Sequence, residues 1–412
     1  MQIGWIDFSK EHRSKVMSVL DMLAKPGAVD ELGVAVIRDR FADILFPGTS
    51  TIQTRAKYFL IVPWLMSELE REKGLNAVQF ERKLHDEEIK LIYTLAKDGA
   101  WGVIGIDAKE KLKRKPSDIY WNGLKTYEIF IHRNLTLSEY ISAACTIRDT
   151  NDRKKSELLQ NGDDEKDDKD AFAADSLSTF WSIIQPETDW KQNLNMKLKT
   201  EEAAFIKHKI LTSKYSKDSM WAYILRDFGD VAMGCRYYSD LEDIARNMPP
   251  QVYADYSMAR GFADIIYGAH IRYNILFFET LKKDNEDVLM KWNSWKYEMK
   301  HSFDFSRWDT DALFYRINVN DYRLRHFIRS WVNYARDVDN INLNEMDELI
   351  RKREIALKGL ERSKLKNSDE FTGFEGNWLG LDKLQFRWHS AKQLLGDILE
   401  GLGEANVKTR QG

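Results

Sequence analysis

Apolar residues recur every three to four positions along most of this chain, the period of a helix with one buried face. Val34, Ile37, Phe41, Ile44 and Leu45 share such a face, so the pattern predicts a helix over 34–46. Asp7 or Ser9 is placed to cap an earlier one, from about Lys10 to Leu23, which stops at Lys25-Pro26-Gly27. After the Pro47-Gly48 turn, Ser50 or Thr51 is the expected cap of a helix reaching about Arg71, and another fits 77–96. Ser117, following Pro116, is the expected cap of a helix carrying Ile119, Tyr120, Leu124 and Tyr127; a further one fits 136–147. In the second half the same periodicity predicts helices over 200–213, 255–282, 344–363 and 384–402. Gly99–Ile106 (GAWGVIGI) reads as a turn and a short extended piece. The expected class is mainly α and multi-helical, with few short strands.

One stretch breaks the pattern. Asn151–Asp170 is almost purely polar and cannot bury enough apolar surface to order itself, so it reads as an acidic flexible linker or loop. An acidic tract of this kind can also mimic nucleic acid. The expected organisation is an N-terminal helical DNA-binding region over 1–150, the linker over 151–175, and a C-terminal helical domain over 176–412.

Composition narrows the picture. The formal net charge is −3, so the chain as a whole is not a basic nucleic-acid binder, and local patches have to carry any such role. Cys145 and Cys235 are the only cysteines, which argues against a disulfide scaffold or a cysteine-rich zinc site and fits a reducing cytoplasm. No basic start followed by an apolar run marks a secretory signal, and no apolar stretch is long enough to span a membrane. Thirteen Trp, 17 Tyr and 20 Phe serve either large cores or stacking platforms for bases and sugars.

Five constellations carry candidate chemistry. Asp264, Tyr267, His270 and Asn274 fall on one helical stripe among apolar neighbours, so they form either an internal polar network or a pocket wall. In a pocket, Asp264 or His270 would position a water or protonate a leaving group. Asp30 and Glu31 precede a helix, where carboxylates either cap it or act. Asp39 and Asp43 stand four apart and repel unless a cation lies between, yet no His or Cys completes a metal set, so no metal site is assigned. Ser50, Thr51, Gln53, Arg55 and Lys57 surround a helix start whose N–H groups suit a phosphate. The pattern of a P-loop is missing there. Last, Lys113, Arg114 and Lys115 precede Ser117, Tyr120, Trp121 and Asn122, where cations would hold phosphates, aromatics stack on bases and Asn read a base edge. A short helix after a basic loop, following a longer helix, resembles the helix-turn-helix layout. GxSxG, HExxH and GxGxxG are all absent, so those enzyme classes fit poorly.

The blocks GWIDFS, DELGVAVIRDRFADILFPGTSTIQTRAKYFLIVPW, KPSDIYWNGLKTY, GAHIRYN and FRWHSAKQLLGDILEGL stand in order from Gly4 to Leu402. Together they resemble a bacterial family long labelled only as a domain of unknown function, whose members tend to lie in phage-defence loci. That family is similar to phage-defence DNA glycosylases that remove glucosylated hydroxymethylcytosine. The resemblance implies an anti-phage enzyme that flips a modified cytosine out of double-stranded phage DNA, excises it and leaves an abasic site. It implies a catalytic carboxylate, for which Asp264, Asp39, Glu31 and Asp30 are the candidates. Tyr267, His270, Arg272, Asn274, Tyr58 and Trp64 would then form the base and sugar pocket. No cofactor is implied. No Lys stands out as a Schiff-base nucleophile, so the expected enzyme is monofunctional. The Phe46-Pro47-Gly48 turn resembles the hairpin of helix-hairpin-helix glycosylases, but Ser50 stands where the usual second Gly would be, which leaves that core as one alternative. The competing readings are a non-catalytic DNA-binding or adaptor subunit and a metal-dependent nuclease.

Overall fold

A computed structural model describes residues 29–97, 99–160 and 180–404. In chain order its α-helices are α1 (Ala35–Leu45), α2 (Tyr58–Arg71), α3 (Ala77–Lys97), α4 (Pro116–Thr126), α5 (Leu137–Gln160), α6 (Thr200–Thr212), α7 (Met220–Tyr223), α8 (Gly229–Gly234), α9 (Glu242–Arg246), α10 (Pro250–Leu281), α11 (Glu286–His301), α12 (Thr310–Arg316), α13 (Tyr322–Arg336), α14 (Leu343–Lys358) and α15 (Trp388–Leu402). A π-helical turn, Ile224–Phe228, joins α7 to α8. The fold is mainly α, as the periodicity predicts. Among the described residues the only β pairing is one isolated antiparallel bridge, Phe130 with Trp181. Gly102–Ile106, expected to be extended, is a run of turns. The helix expected over Lys10–Leu23 lies outside the described residues. Residues 151–160 of the expected linker continue α5, and 161–175 again lie outside the described residues.

The chain forms two compact units. One comprises the described residues up to Phe41 together with Tyr253–Phe386; the other runs from Ala42 to Val252 and resumes at Arg387. Each is therefore discontinuous in sequence.

In the first unit α10 is buried along much of its length from Tyr256 to Phe278. Two indoles anchor on it: Trp295 donates to the Asp264 carbonyl at 2.8 Å and Trp331 to the Ile265 carbonyl at 2.9 Å. Gly268 permits this packing, because a Cβ there would stand 2.3 Å from the Trp295 ring. α13 is strongly two-faced. Leu324, Phe327, Ile328, Trp331, Val332 and Ala335 are buried, and the Asp321 carboxylate caps the helix by accepting from the Arg323 and Leu324 N–H groups.

In the second unit α2 is buried along most of its length and packs on α4, while α6 packs on α15. The chain between α1 and α2 departs from expectation. Ser50 and Thr51 do not open a helix; the segment folds into turns, and α2 starts only at Tyr58. Gln53 causes part of this by wrapping its amide around the turn, accepting from Ser50 N at 3.1 Å and donating to Gly48 O at 3.1 Å. A run of turns and irregular chain from Phe46 to Lys57 thus separates α1 from α2. Ser117 also differs from its expected role. Lys115 occupies the cap, Pro116 the first helical position, and Ser117 lies inside α4 with its N–H and hydroxyl donating to Glu88.

Candidate functional site

The second unit contains a cavity of about 830 Å³, enough for a base carrying a sugar. Trp64 and Trp190 meet edge-to-face in its wall, with ring centroids 5.1 Å apart. Each indole is fixed by a hydrogen bond: Trp64 donates to Ile184 O at 2.8 Å, and Trp190 to the Glu68 carboxylate at 2.6 Å. A third indole, Trp101, is 63% exposed at the rim, with the Arg55 guanidinium 5.9 Å from its ring. Asn193, Asn195 and Gln185 add amide donors and acceptors to the same wall.

Lys57 and Glu202 also line this cavity, and both are buried. The Lys57 ammonium donates to Glu202 Oε2 at 2.5 Å and stands 5.5 Å from the Trp64 ring. Burial pulls Lys57 below its ordinary value, against the opposite pull of Glu202. Glu202 sits in the first turn of α6, and its Oε2 accepts from the Lys199 N–H at 2.8 Å. That N–H and the helix dipole hold the carboxylate in a fixed position facing the cavity. The arrangement offers a positioned carboxylate, an adjacent amine and aromatic walls in one desolvated place.

Arg55 is also in the wall, but every nitrogen of its guanidinium is engaged. It meets Asp397 at 2.9 and 3.0 Å, Trp101 O at 2.9 Å and Met196 O at 3.2 Å. Several backbone N–H groups of the segment expected to hold a phosphate are occupied too. Ser50 N is bonded to Gln53, Thr54 N and Arg55 N donate to the Tyr120 hydroxyl, and Ala56 N donates to Asp397. Tyr120 has no exposed surface and Trp121 is packed against Phe130 at 4.5 Å, so neither presents a ring to a base. Tyr58 is buried, its hydroxyl accepting from Ile104 N at 2.9 Å. Thr51, Lys113, Arg114 and Asn122 are exposed and Lys115 is half-buried.

The stripe on α10 is split between several tasks in the first unit. Asn274 clamps the loop before α15 by donating to Leu379 O at 2.9 Å and accepting from Leu379 N at 2.6 Å. Arg272 makes a two-pronged ion pair with Asp347, at 2.5 and 2.7 Å, and is not available to a sugar. Asp264 pairs with Lys383 at 2.8 Å. Tyr267 lines a separate groove of about 470 Å³ with Lys383 and Lys291. His270 is buried, and neither ring nitrogen reaches a hydrogen-bond partner in good geometry.

The other candidate carboxylates are similarly committed. Glu31 is buried, ion-paired with Lys358, 2.8 Å from the Lys364 ammonium and 3.2 Å from the Tyr273 hydroxyl, which also donates to Glu354 at 2.7 Å. Asp30 Oδ2 accepts from Ala35 N at 2.6 Å at the start of α1, while its Oδ1 is buried without a partner. Asp39 lies beside Arg38 at 3.0 Å. Asp43 lies beside Arg387 at 2.6 Å, so the two members of that pair each have a cation of their own.

Burial pushes His270 down to about 4, outweighing the Asp30 and Asp382 carboxylates, so the folded protein holds it neutral at pH 7. The unfolded chain takes up this proton first as pH falls through the ordinary value. The stabilising contribution is thus complete above about pH 6.5 and is lost on the way to pH 4. The stability difference between wild type and His270→Gln should therefore shrink by on the order of 3 kcal/mol between pH 7 and pH 4, read from denaturant midpoints. A difference independent of pH would mean the imidazole is solvated.

Sequence reasoning passed over two features. Glu202 and Trp190 join Lys57 only through the fold, and the polar segment Gln185–Lys199 with Trp190 inside it was the only hint. The second is the outer face of α13, YRLRHFIRSWVNYAR, which has four Arg and no acidic residue. Tyr322, Arg323, His326, Arg329 and Arg336 are exposed on it, with Tyr322 at 76% and the preceding Tyr315 at 89%. Arg329 also pairs with Asp311 at 2.5 Å, an exposed contact worth little in water. Cations interleaved with exposed aromatics suit a nucleic-acid backbone.

Among the described residues no helix is long and apolar enough to cross a membrane. No curated protein and no solved structure matches the chain. A family model described as a family of unknown function (DUF6361) matches residues 1–401.

Proposed function

The chain belongs to this family of unknown function, and we propose, from the resemblance together with the cavity, that it is an anti-phage DNA glycosylase acting on a glucosylated hydroxymethylcytosine. The observation that carries this reading is the tryptophan-walled cavity with the buried Lys57–Glu202 pair at its side. An enzyme that works on a base must take it out of the stack and hold it between aromatic faces. Trp64, Trp190 and Trp101 supply such faces, and the amides of Asn193, Asn195 and Gln185 suit the hydroxyls of a glucosyl group.

Cleavage of the N-glycosidic bond builds positive charge on the sugar. Glu202 is the carboxylate we assign to stabilise that charge or to take a proton from the attacking water. It replaces Asp264, Asp39, Glu31 and Asp30 as first choice, because it faces the cavity, whereas none of those four residues lines it. The product is a free modified base and an abasic sugar in double-stranded DNA.

DNA is the proposed partner, and the arginine face of α13 is the surface we assign to its phosphates. Arg323→Ala and Arg336→Ala should each weaken binding to any duplex and make the slope of log affinity against log salt shallower by about 1. Titrations at several salt concentrations read this, and an unchanged slope removes the residue from the phosphate contacts. The function itself is tested by base release from glucosylated DNA, with Glu202→Gln as the variant that should bind but not cleave.

A further inference from the structure

Base removal alone gives Lys57 no role. Three lysines line the cavity, and they differ in setting. Lys197 is largely exposed, and Lys199 is half-exposed and held as an ammonium by Glu187, which raises it. Lys57 is almost fully buried, next to an indole and 2.5 Å from a carboxylate. A desolvated amine beside a base is what carbonyl capture requires, because the nucleophile must shed a proton and a neighbour must hold it. Burial lowers Lys57, which agrees with that requirement.

We propose that Lys57 is a Schiff-base nucleophile that captures the C1′ aldehyde of an abasic deoxyribose in this cavity, giving the protein a strand-cleaving lyase activity. The inference rests on the base-excision reading for the origin of the aldehyde. It replaces the expectation of a monofunctional enzyme, because burial beside Glu202 sets Lys57 apart from the other two lysines of the cavity.

The chemistry balances with the residues present. The ring-opened abasic sugar exposes an aldehyde. Glu202 accepts a proton from the Lys57 ammonium, and the amine forms a C–N bond as the carbonyl π pair moves to oxygen. Glu202 returns that proton to the oxygen, which leaves as water after a second proton moves to it from nitrogen. Ammonium and aldehyde thus give an iminium and one water with no net proton exchange. The iminium then acidifies C2′–H. Glu202 takes that proton, the C2′–H electrons form a new double bond, and the C3′–O bond breaks with the phosphate leaving. Water hydrolyses the imine and frees Lys57.

The test uses the full chain and an oligonucleotide duplex with one abasic site, with sodium cyanoborohydride to reduce the imine to a stable amine. The expected result is a covalent protein–DNA adduct that maps by peptide mass spectrometry to Lys57, and strand cleavage when reductant is left out. Lys57→Arg keeps a cation facing Glu202 but cannot form the imine, so its adduct should fall to background while its circular dichroism matches wild type. If that variant does not fold, the mapped position of the wild-type adduct decides. No wild-type adduct, or an adduct on another residue, overturns the inference. Release of modified base without any adduct overturns it while base excision stands. An adduct at Lys57 without base release has the opposite meaning: the imine chemistry holds and base excision fails.

Discussion

Glu202→Gln is expected to lower base release from glucosylated DNA by about 10²–10³-fold while duplex affinity stays within a factor of about two. Glutamine keeps the volume and still accepts from the Lys199 N–H, so the first turn of α6 survives. What it loses is the negative charge next to the reacting sugar and next to the buried Lys57 ammonium, and the capacity to take a proton; denaturation of the variant reads the stability part of that loss separately. The loss should appear in kcat rather than KM, because the interaction strengthens only as the sugar becomes cationic. Single-turnover release, followed by mass spectrometry of the free base, gives the number. Undiminished release would return the catalytic role to another carboxylate.

Arg55→Ala is expected to cost about 3–5 kcal/mol of folding stability, because it leaves the Asp397 carboxylate buried without its cation. The same change removes the donors to Trp101 O and Met196 O, loosening one wall of the cavity. Read from the sequence as a phosphate contact, Arg55 would instead weaken DNA binding and flatten its salt dependence. The two roles separate cleanly. Chemical denaturation should show the loss in the variant, and the salt slope of whatever folded protein remains should match wild type. Normal stability with a flatter slope would restore the phosphate role.

The helices were legible because their signal is local. The apolar spacing through Val34, Ile37 and Phe41 marks α1 to within a residue or so, and the buried run around Phe262–Phe278 marks most of α10. Where the reading failed locally, side chains had taken up the backbone groups, one from within the turn and others from far along the chain. Ser50 and Thr51 have the residue types of a helix cap, yet Gln53 takes up Ser50 N, and the Tyr120 hydroxyl and the Asp397 carboxylate take up the N–H groups farther along the turn. Tyr120 and Trp121 look like a stacking pair beside a basic run, but the same aromatic character makes them core.

The candidate site was half legible. Lys57 and Trp64 were singled out, and they do face one cavity. Glu202, the partner that gives Lys57 its chemistry, lies 145 residues farther along the chain. Asp397, which holds Arg55, lies 342 residues away. Ion pairs at such separation leave no periodicity and no motif, so a single sequence cannot point to them. The arginines of α13 were overlooked for a different reason. They alternate with the apolar residues of an ordinary amphipathic helix, and only their shared exposure with Tyr322 sets them apart.

The central claim is that this protein removes a glucosylated base from DNA. The most direct test incubates the purified protein with phage DNA bearing glucosylated hydroxymethylcytosine and, in parallel, with the same sequence unmodified, and tracks released base by mass spectrometry. Release of the glucosylated base from the modified DNA alone is the predicted result. Binding to both DNAs with no base released from either would contradict it and would leave a DNA-binding adaptor in its place.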